Sequence, residues 1–410
     1  MGLLRKTLFF ITDYVTYVAR GGAKFYGWLG FLGIFITIWF YGSYVQLTEG
    51  MIITGLTDQV SWGIFLANFV FLVGVAAGAV TVVFPAYVYK HKALHDVTVL
   101  GEMLAIAAVT MCGLFIISHM GRPDRLWHLI PYIGIFNWPS SMLTWDVLAL
   151  SGYFVLNVLG GFYYLYKKYC GEPLNKKFYL PIIYIAIVWA LSIHTITAFF
   201  MNTMPARPMW FHSMMPIRFI STAFAAGPAL IIIVFLIIRR NTKLWIEDSA
   251  INLLSQIVVW CLGIALFLTF SEIVTELYHP TEHSHGLQYL MFGHNGLNNL
   301  VPWFWSSLFA MIAAFIMLLI PSWRKDQTKL QIACVMTFLG IWVEKGMGLM
   351  LPGSIPTPIG EFTQYSPTFL EIFNSLGNWA IGFAVLTILL KGAIGILLGD
   401  IKLEKQEASV

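Results

Sequence analysis

Long apolar runs separated by short polar stretches recur along this chain from about Trp28 to Gly399. A helix needs ~20 mostly apolar residues to cross a bilayer. Ten segments meet that length: 28–47, 62–89, 98–119, 141–166, 179–202, 217–238, 250–277, 301–320, 329–351 and 373–399. The pattern predicts an all-α fold, a polytopic integral membrane protein of about ten transmembrane helices. Ahead of them, Asp13 interrupts an apolar stretch and no small-residue cleavage site follows. Residues 3–19 therefore read as an interfacial helix at the inner leaflet, not as a signal peptide.

No linker or composition shift marks a soluble domain, so residues 1–410 form a single membrane domain. Its parts are a cytoplasmic interfacial segment (1–27), the first span with its loop (28–60), two four-helix units (61–216 and 217–351) and a final stretch (352–410). That stretch holds an outer loop, the tenth span and a cytoplasmic tail. The two units, spans two to five and six to nine, are suggested by a repeat. The loops at 120–140 and 278–300 are both long, and each enters the next span through Asn, Pro and Trp. These are Asn137, Trp138, Pro139 and Trp145 in one case, and Asn299, Pro302 and Trp305 in the other. Two related bundles would give this pattern, and so would the belt residues that any membrane interface collects.

Charge supplies the orientation. Eighteen Lys and Arg fall on the loops of one side, and only Arg122, Arg125, Arg207 and Arg218 on the other. The positive-inside rule then places both termini in the cytoplasm. The net charge of +4 reflects those inner loops, and no basic block with interleaved aromatics points to nucleic acid. Cys112, Cys170, Cys261 and Cys334 are scattered singly, so thiolates of this chain cannot hold an iron–sulfur cluster. No metal site is expected, and any electrons handled here come from or leave to another protein.

The candidate chemistry gathers on the outer side, where eight of the ten histidines lie. His119 closes the third span, and the segment runs on through Arg122, Asp124, Arg125, His128, Tyr132, Asn137 and Trp138 to Trp145-Asp146. Asp146 lies ~7–8 Å inside the fourth span at 1.5 Å per residue. An imidazole and a carboxylate on consecutive helices can hold and exchange protons near neutral pH. The plainer reading has His119 capping its helix and Asp146 paired with Arg122 or Arg125. His194 sits in the fifth span about eight residues from its outer end, followed by Arg207 and His212. Arg207 and Arg218 read most simply as interfacial anchors, or as holds on an acidic partner. In the seventh span Glu272, Glu276 and His279 share one helix face by spacing. The ninth span carries adjacent Glu344 and Lys345, which an α-helix would aim ~100° apart. With Glu102 near the inner end of the third span, these residues line a proton route or act as buried glue between helices. Lys391 reads as a snorkelling lysine, and Gly74 with Gly78 as a close helix contact.

Taken together, Ser61-Trp-Gly63 to Asn68, the His119–Asp146 segment, His194-Thr-Ile-Thr-Ala-Phe with Ala206-Arg-Pro, and Glu344-Lys-Gly-Met-Gly resemble the NrfD/polysulfide-reductase membrane-subunit family. Leu351-Pro-Gly and Pro356-Thr-Pro-Ile-Gly-Glu361 look closest to the DsrP-type subunit of the sulfite-reduction-associated complex, with Hme-type and alternative-complex-III subunits as near competitors. The resemblance implies a quinone-reactive subunit of a respiratory oxidoreductase in dissimilatory sulfur metabolism. Such a subunit passes electrons between menaquinone or menaquinol and an outer ferredoxin-like iron–sulfur subunit, with no haem or cluster of its own. It implies His119 and Asp146 as the quinone pocket, with Arg122 and His194 as further members; Tyr132, Trp138 and Trp145 read either as aromatics stacking on the quinone ring or as interfacial belt residues. Docking of the partner is expected at Arg125, Arg207 and His212. Further partners implied are a cytochrome b, a multihaem cytochrome c and a heterodisulfide-reductase-like subunit. The rival readings are a b-type haem protein using His119 and His194, a proton-coupled transporter, and a plain anchoring subunit.

Overall fold

The computed structural model describes residues 2–357 and 359–403. Pro358 of the Pro356–Glu361 motif and Lys405 of the inner basic set lie outside the described residues. Helix α1 (Leu3–Ala19) precedes ten helices long and apolar enough to cross a membrane. These are α2 (Ala23–Glu49), α3 (Ile64–Tyr87), α4 (Thr98–His119), α5 (Met142–Tyr169), α6 (Lys176–Asn202), α7 (Met215–Asn241), α8 (Asp248–Tyr278), α10 (Val301–Leu319), α11 (Gln327–Ser354) and α12 (Phe369–Leu397). A helix that the sequence reading missed, α9 (Ser284–Phe292), lies within the loop after α8.

Helices α3, α4, α5 and α6 pack in a closed ring, each on the next and the last on the first. Helices α7, α8, α10 and α11 form a second ring in the same manner. The seam between the rings is α3 and α6 against α7 and α11. Its tightest point is Gly78 of α3 against Gly227 of α7. A Cβ on Gly78 would lie 2.6 Å from the Gly227 Cα and 2.7 Å from the Ala223 carbonyl oxygen. Helix α3 is accordingly the most enclosed of the ten, 94% buried over its apolar window against 11% for α2.

Helix α12 packs across α4 and holds α2 on its far side. Apolar burial gives little preference between helix and lipid, so buried hydrogen bonds fix such contacts. Gln46 of α2 donates to the Ser118 carbonyl at 2.5 Å and accepts from Asn374 at 3.2 Å, while Asn378 donates to the Ser118 hydroxyl at 3.0 Å. Asn68 of α3 accepts from the indoles of both Trp342 and Trp379 at 2.9 Å. At the lysine-rich end α1 lies against α5 and α12. Tyr169 donates to Asp13 at 2.7 Å, Tyr14 to the Leu389 carbonyl at 2.8 Å, and Lys391 to the Val18 carbonyl at 2.7 Å.

Candidate functional site

Asp146 occupies the first turn and a half of α5, facing α6, and is 4% exposed. The Thr197 hydroxyl lies 2.8 Å from its Oδ1 and 2.9 Å from the Ile193 carbonyl oxygen. The hydroxyl donates to the Asp146 carboxyl and shares its proton with the Ile193 carbonyl in a bifurcated bond. Neither Arg122 nor Arg125 pairs with Asp146. Arg122 is exposed and forks onto Asp124 at 2.9 and 2.7 Å, and Arg125 is exposed on the same loop. The Arg122 pairing holds the Asp124 carboxyl below its usual range.

His119 ends α4 with its Nδ1 buried and without a partner. Cys112, seven residues earlier and so on the same face of α4, lies within electrostatic range of Asp146. Trp145 lies tilted against Trp138, ring centres 3.8 Å apart, and donates to the Pro139 carbonyl at 2.8 Å. Tyr132, by contrast, is fully exposed at the tip of the loop, away from these groups. Glu102 stands at the opposite end of α4, 3% exposed, with Oε2 unpartnered. It lies against Gly160 and Gly161 of α5.

One turn before Thr197, fully buried His194 contacts Lys345 Nζ through Nε2, and its Nδ1 has no partner. Gly74 of α3 makes room for this pair. A Cβ there would lie 3.1 Å from Lys345 Nζ and 3.2 Å from His194 Cε1. Lys345 also lies 4.3 Å from the centre of the Phe219 ring.

The adjacent Glu344 and Lys345 do point to different neighbours, but not through α-helical geometry. Residues Trp342–Met347 form a π-helical turn within α11. Such turns are rare and re-aim side chains. On its other side Glu344 binds Arg218, whose Nε donates to Oε1 at 2.9 Å and whose Nη2 also contacts Oε1. Arg218 Nη1 contacts Glu272 of α8. Arg218 was expected as an interfacial anchor; it is 8% exposed and joins three helices of the second ring. The sequence signal lay in its position four residues inside an apolar run, where an unpaired charge is costly.

Beside Glu272 a cavity of about 220 Å³ lies at the histidine-rich end of the second ring, lined by Arg218, Glu272, Glu276, His212, His283 and Met214 among others. His212 and Arg207, expected to dock a partner, are both half-buried. His212 faces the cavity with Nε2 unpartnered. Burial, and then the Arg218 charge, push its pKa down to about 4. Arg207 donates to the Ser354 carbonyl at 2.6 Å, which ties the loop after α6 to the end of α11. Glu276 shares the cavity with Glu272, whereas His279 lies past the end of α8 and is exposed. Among the described residues no group of three or more His, Cys, Asp or Glu side chains is placed to hold a metal ion.

The seat of this polar system, residues 53–355, matches the family described as Polysulphide reductase, NrfD. A selenate reductase subunit of Mesobacillus selenatarsenatis is 23% identical, over 84% of this chain and 87% of that protein. The membrane subunit of a putative dimethyl sulfoxide reductase of Halobacterium salinarum is 23% identical, over 87% and 88%. The Hdr-like menaquinol oxidoreductase integral membrane subunit of Archaeoglobus fulgidus is 22% identical, over 83% and 87%. With ten apolar helices and a match that spans both rings, the chain belongs to the NrfD/polysulphide reductase family of oxidoreductase membrane subunits.

Proposed function

We propose that this chain is the quinone-reactive subunit of a respiratory oxidoreductase. It exchanges electrons between menaquinone or menaquinol and an iron–sulfur subunit docked at its histidine-rich face, taken as the outer face of the cytoplasmic membrane. The observation that carries this reading is the buried Asp146–Thr197 pair with His194 one turn away. The name of the menaquinol oxidoreductase relative supports the choice of quinone.

The residues suit a quinone head group. Its two oxygens need hydrogen-bond partners, and His119 Nδ1 and His194 Nδ1 are buried polar atoms without any. The paired Trp138 and Trp145 offer an aromatic surface. Oxidation of the quinol sends two electrons to the partner's cluster and two protons to the protein. His119 and the Asp146–Thr197 pair accept those protons, and in reverse they donate them. Glu272, Glu276, Glu344 and Lys345, with Glu102 toward the other face, form the proton path. Docking falls to exposed Arg125 and its loop, with half-buried Arg207 and His212 at the edge of that face.

The finer reading is a DsrP-type subunit in dissimilatory sulfur metabolism, with both termini cytoplasmic. Its partners would be a cytochrome b, a multihaem cytochrome c and a heterodisulfide-reductase-like subunit. The Leu351-Pro-Gly motif and the Hdr-like relative support it. The haem reading is disfavoured by His194, whose Nε2 is already engaged by Lys345.

Fluorescence-quench titration of the purified complex with a menaquinone analogue tests the site. Saturable binding in the wild type, strongly weakened in assembled Asp146→Asn and His119→Ala variants, is the expected result. Unchanged binding in both removes the assignment.

A further inference from the structure

We propose that the acid–histidine cavity of the second ring is the outer proton port of the quinone site, reached across the π-turn of α11. The inference rests on the quinone reading above and adds where the protons leave.

Three observations converge. The π-turn places consecutive residues on two sides of the seam. Lys345 contacts His194, one turn from Thr197 and Asp146, while Glu344 contacts Arg218, whose other arm holds Glu272 on the cavity wall. The ion pairs of the cluster run from Arg218 to Glu272 and Glu344, while Lys345 contacts His194 and the Phe219 carbonyl. A buried cluster in low dielectric resists an uncompensated charge, so one proton gained on the His194 side is matched by one released elsewhere. Finally, Glu344 Oε2, His194 Nδ1 and His212 Nε2 are buried without partners, and the cavity that His212, Arg218 and Glu272 line has room for several waters.

The sequence of transfers follows. Each quinol oxidised yields a quinone, two electrons for the iron–sulfur partner and two protons. A proton passing from Asp146 past Thr197 to His194 Nδ1 sends the Nε2 proton on to the Lys345 amine, which becomes the charged group. Lys345 then gives a proton toward Glu344 and Glu272, and Glu276, on the same cavity wall, hands it to solvent water. His212 and His283 line the same cavity. Arg218 keeps its charge throughout and fixes the two carboxylates rather than conducting.

The experiment uses the intact complex, a short-chain menaquinol analogue and an artificial acceptor that takes electrons from the iron–sulfur partner. Glu276→Gln, and Thr275→Cys modified by a membrane-impermeant thiol reagent, both alter the cavity wall without touching the quinone residues. Analogue binding should stay within about twofold. Turnover should fall roughly 10- to 100-fold, at or below the lower end of general acid–base effects, and a small weak acid such as formic acid should restore it in Glu276→Gln. Turnover kept in both variants means that protons leave directly at His119 and overturns the port. Loss of turnover that the weak acid does not restore makes Glu276 structural and overturns it as well. Absence of saturable analogue binding in the wild type is a separate result; it refutes the quinone reading, and the port falls with it.

Discussion

Replacing Arg218 by Met removes the cation shared by Glu344 and Glu272 while keeping most of the side-chain volume. Three donated contacts disappear, and two carboxylates, one 6% exposed and the other with a side chain 16% exposed, are left facing each other. Removing one member of a buried ion pair costs about 3–5 kcal/mol, because the remaining charge is stranded. Uptake of a proton by one of the acids limits the loss, so the lower half of that range is expected. Arg218→Lys keeps the charge but loses the planar fork, and one ammonium cannot span both acids; an intermediate loss of about 1–2 kcal/mol follows. Combining Arg218→Met with Glu344→Gln and Glu272→Gln removes the stranded charge and should recover stability to within about 1–2 kcal/mol of wild type. Unfolding in mixed micelles with increasing SDS, followed by tryptophan fluorescence, measures the series. A loss below about 1 kcal/mol in Arg218→Met, or a triple variant no more stable than the single one, refutes the reasoning.

Other outcomes can be read from the same structure. Gly78→Ala forces a Cβ onto the backbone of Gly227 and Ala223, which cannot yield as a side chain would; about 2–3 kcal/mol should be lost, whereas Gly33→Ala, with nothing within 4 Å, should melt like wild type. Asn68→Leu leaves two indole N–H groups without an acceptor and should lower stability by about 2–4 kcal/mol in the same SDS titration. Thr197→Val removes the side-chain partner of Asp146 and should weaken quinone-analogue binding or turnover by roughly tenfold, near the value of a hydrogen bond to a buried acid. His212 has a folded pKa of about 4, below the ~6.5 of a free imidazole, so the unfolded chain binds more protons between those values. Stability is therefore full above pH 6.5 and falls as pH drops toward 4, by on the order of 2 kcal/mol after allowing for partial exposure. Melting curves of wild type and His212→Gln should diverge across that window and run parallel above it.

The ten membrane helices were legible because hydrophobic length is a local property. The third span, 98–119, agrees with the observed helix to the residue, and most of the others differ by only a few at either end. Polar residues were harder to place, since their partners lie on other helices. Asp146 and His194 stood out as rare polar groups in apolar runs, but nothing in the spacing showed that Thr197 or Lys345 would meet them. Arg218 was misjudged because four residues from a helix start is compatible with an anchor that reaches the interface. Only the packing of α7, α8 and α11 reveals two acids waiting there. The π-turn left no readable signal, because its one-residue difference in register becomes visible only when Glu344 and Lys345 are seen to bind on opposite sides of the seam.

The shared ion cluster also dictates an order of biogenesis. Ribosomal synthesis delivers Arg218 first, Glu272 next and the Glu344–Lys345 pair last. Helix α11 has the lowest mean hydropathy of the ten, 1.4, and carries both of those charges. Each charge near the middle of a helix disfavours insertion by ~2.5–3.5 kcal/mol when that helix meets lipid alone. Arg218 can wait in the bilayer with Glu272 as its first partner, whereas α11 enters a socket whose counter-charges are already installed. A truncation ending before α8 would leave Arg218 without either acid, so quality-control proteolysis should read that helix as the chain's first exposed fault.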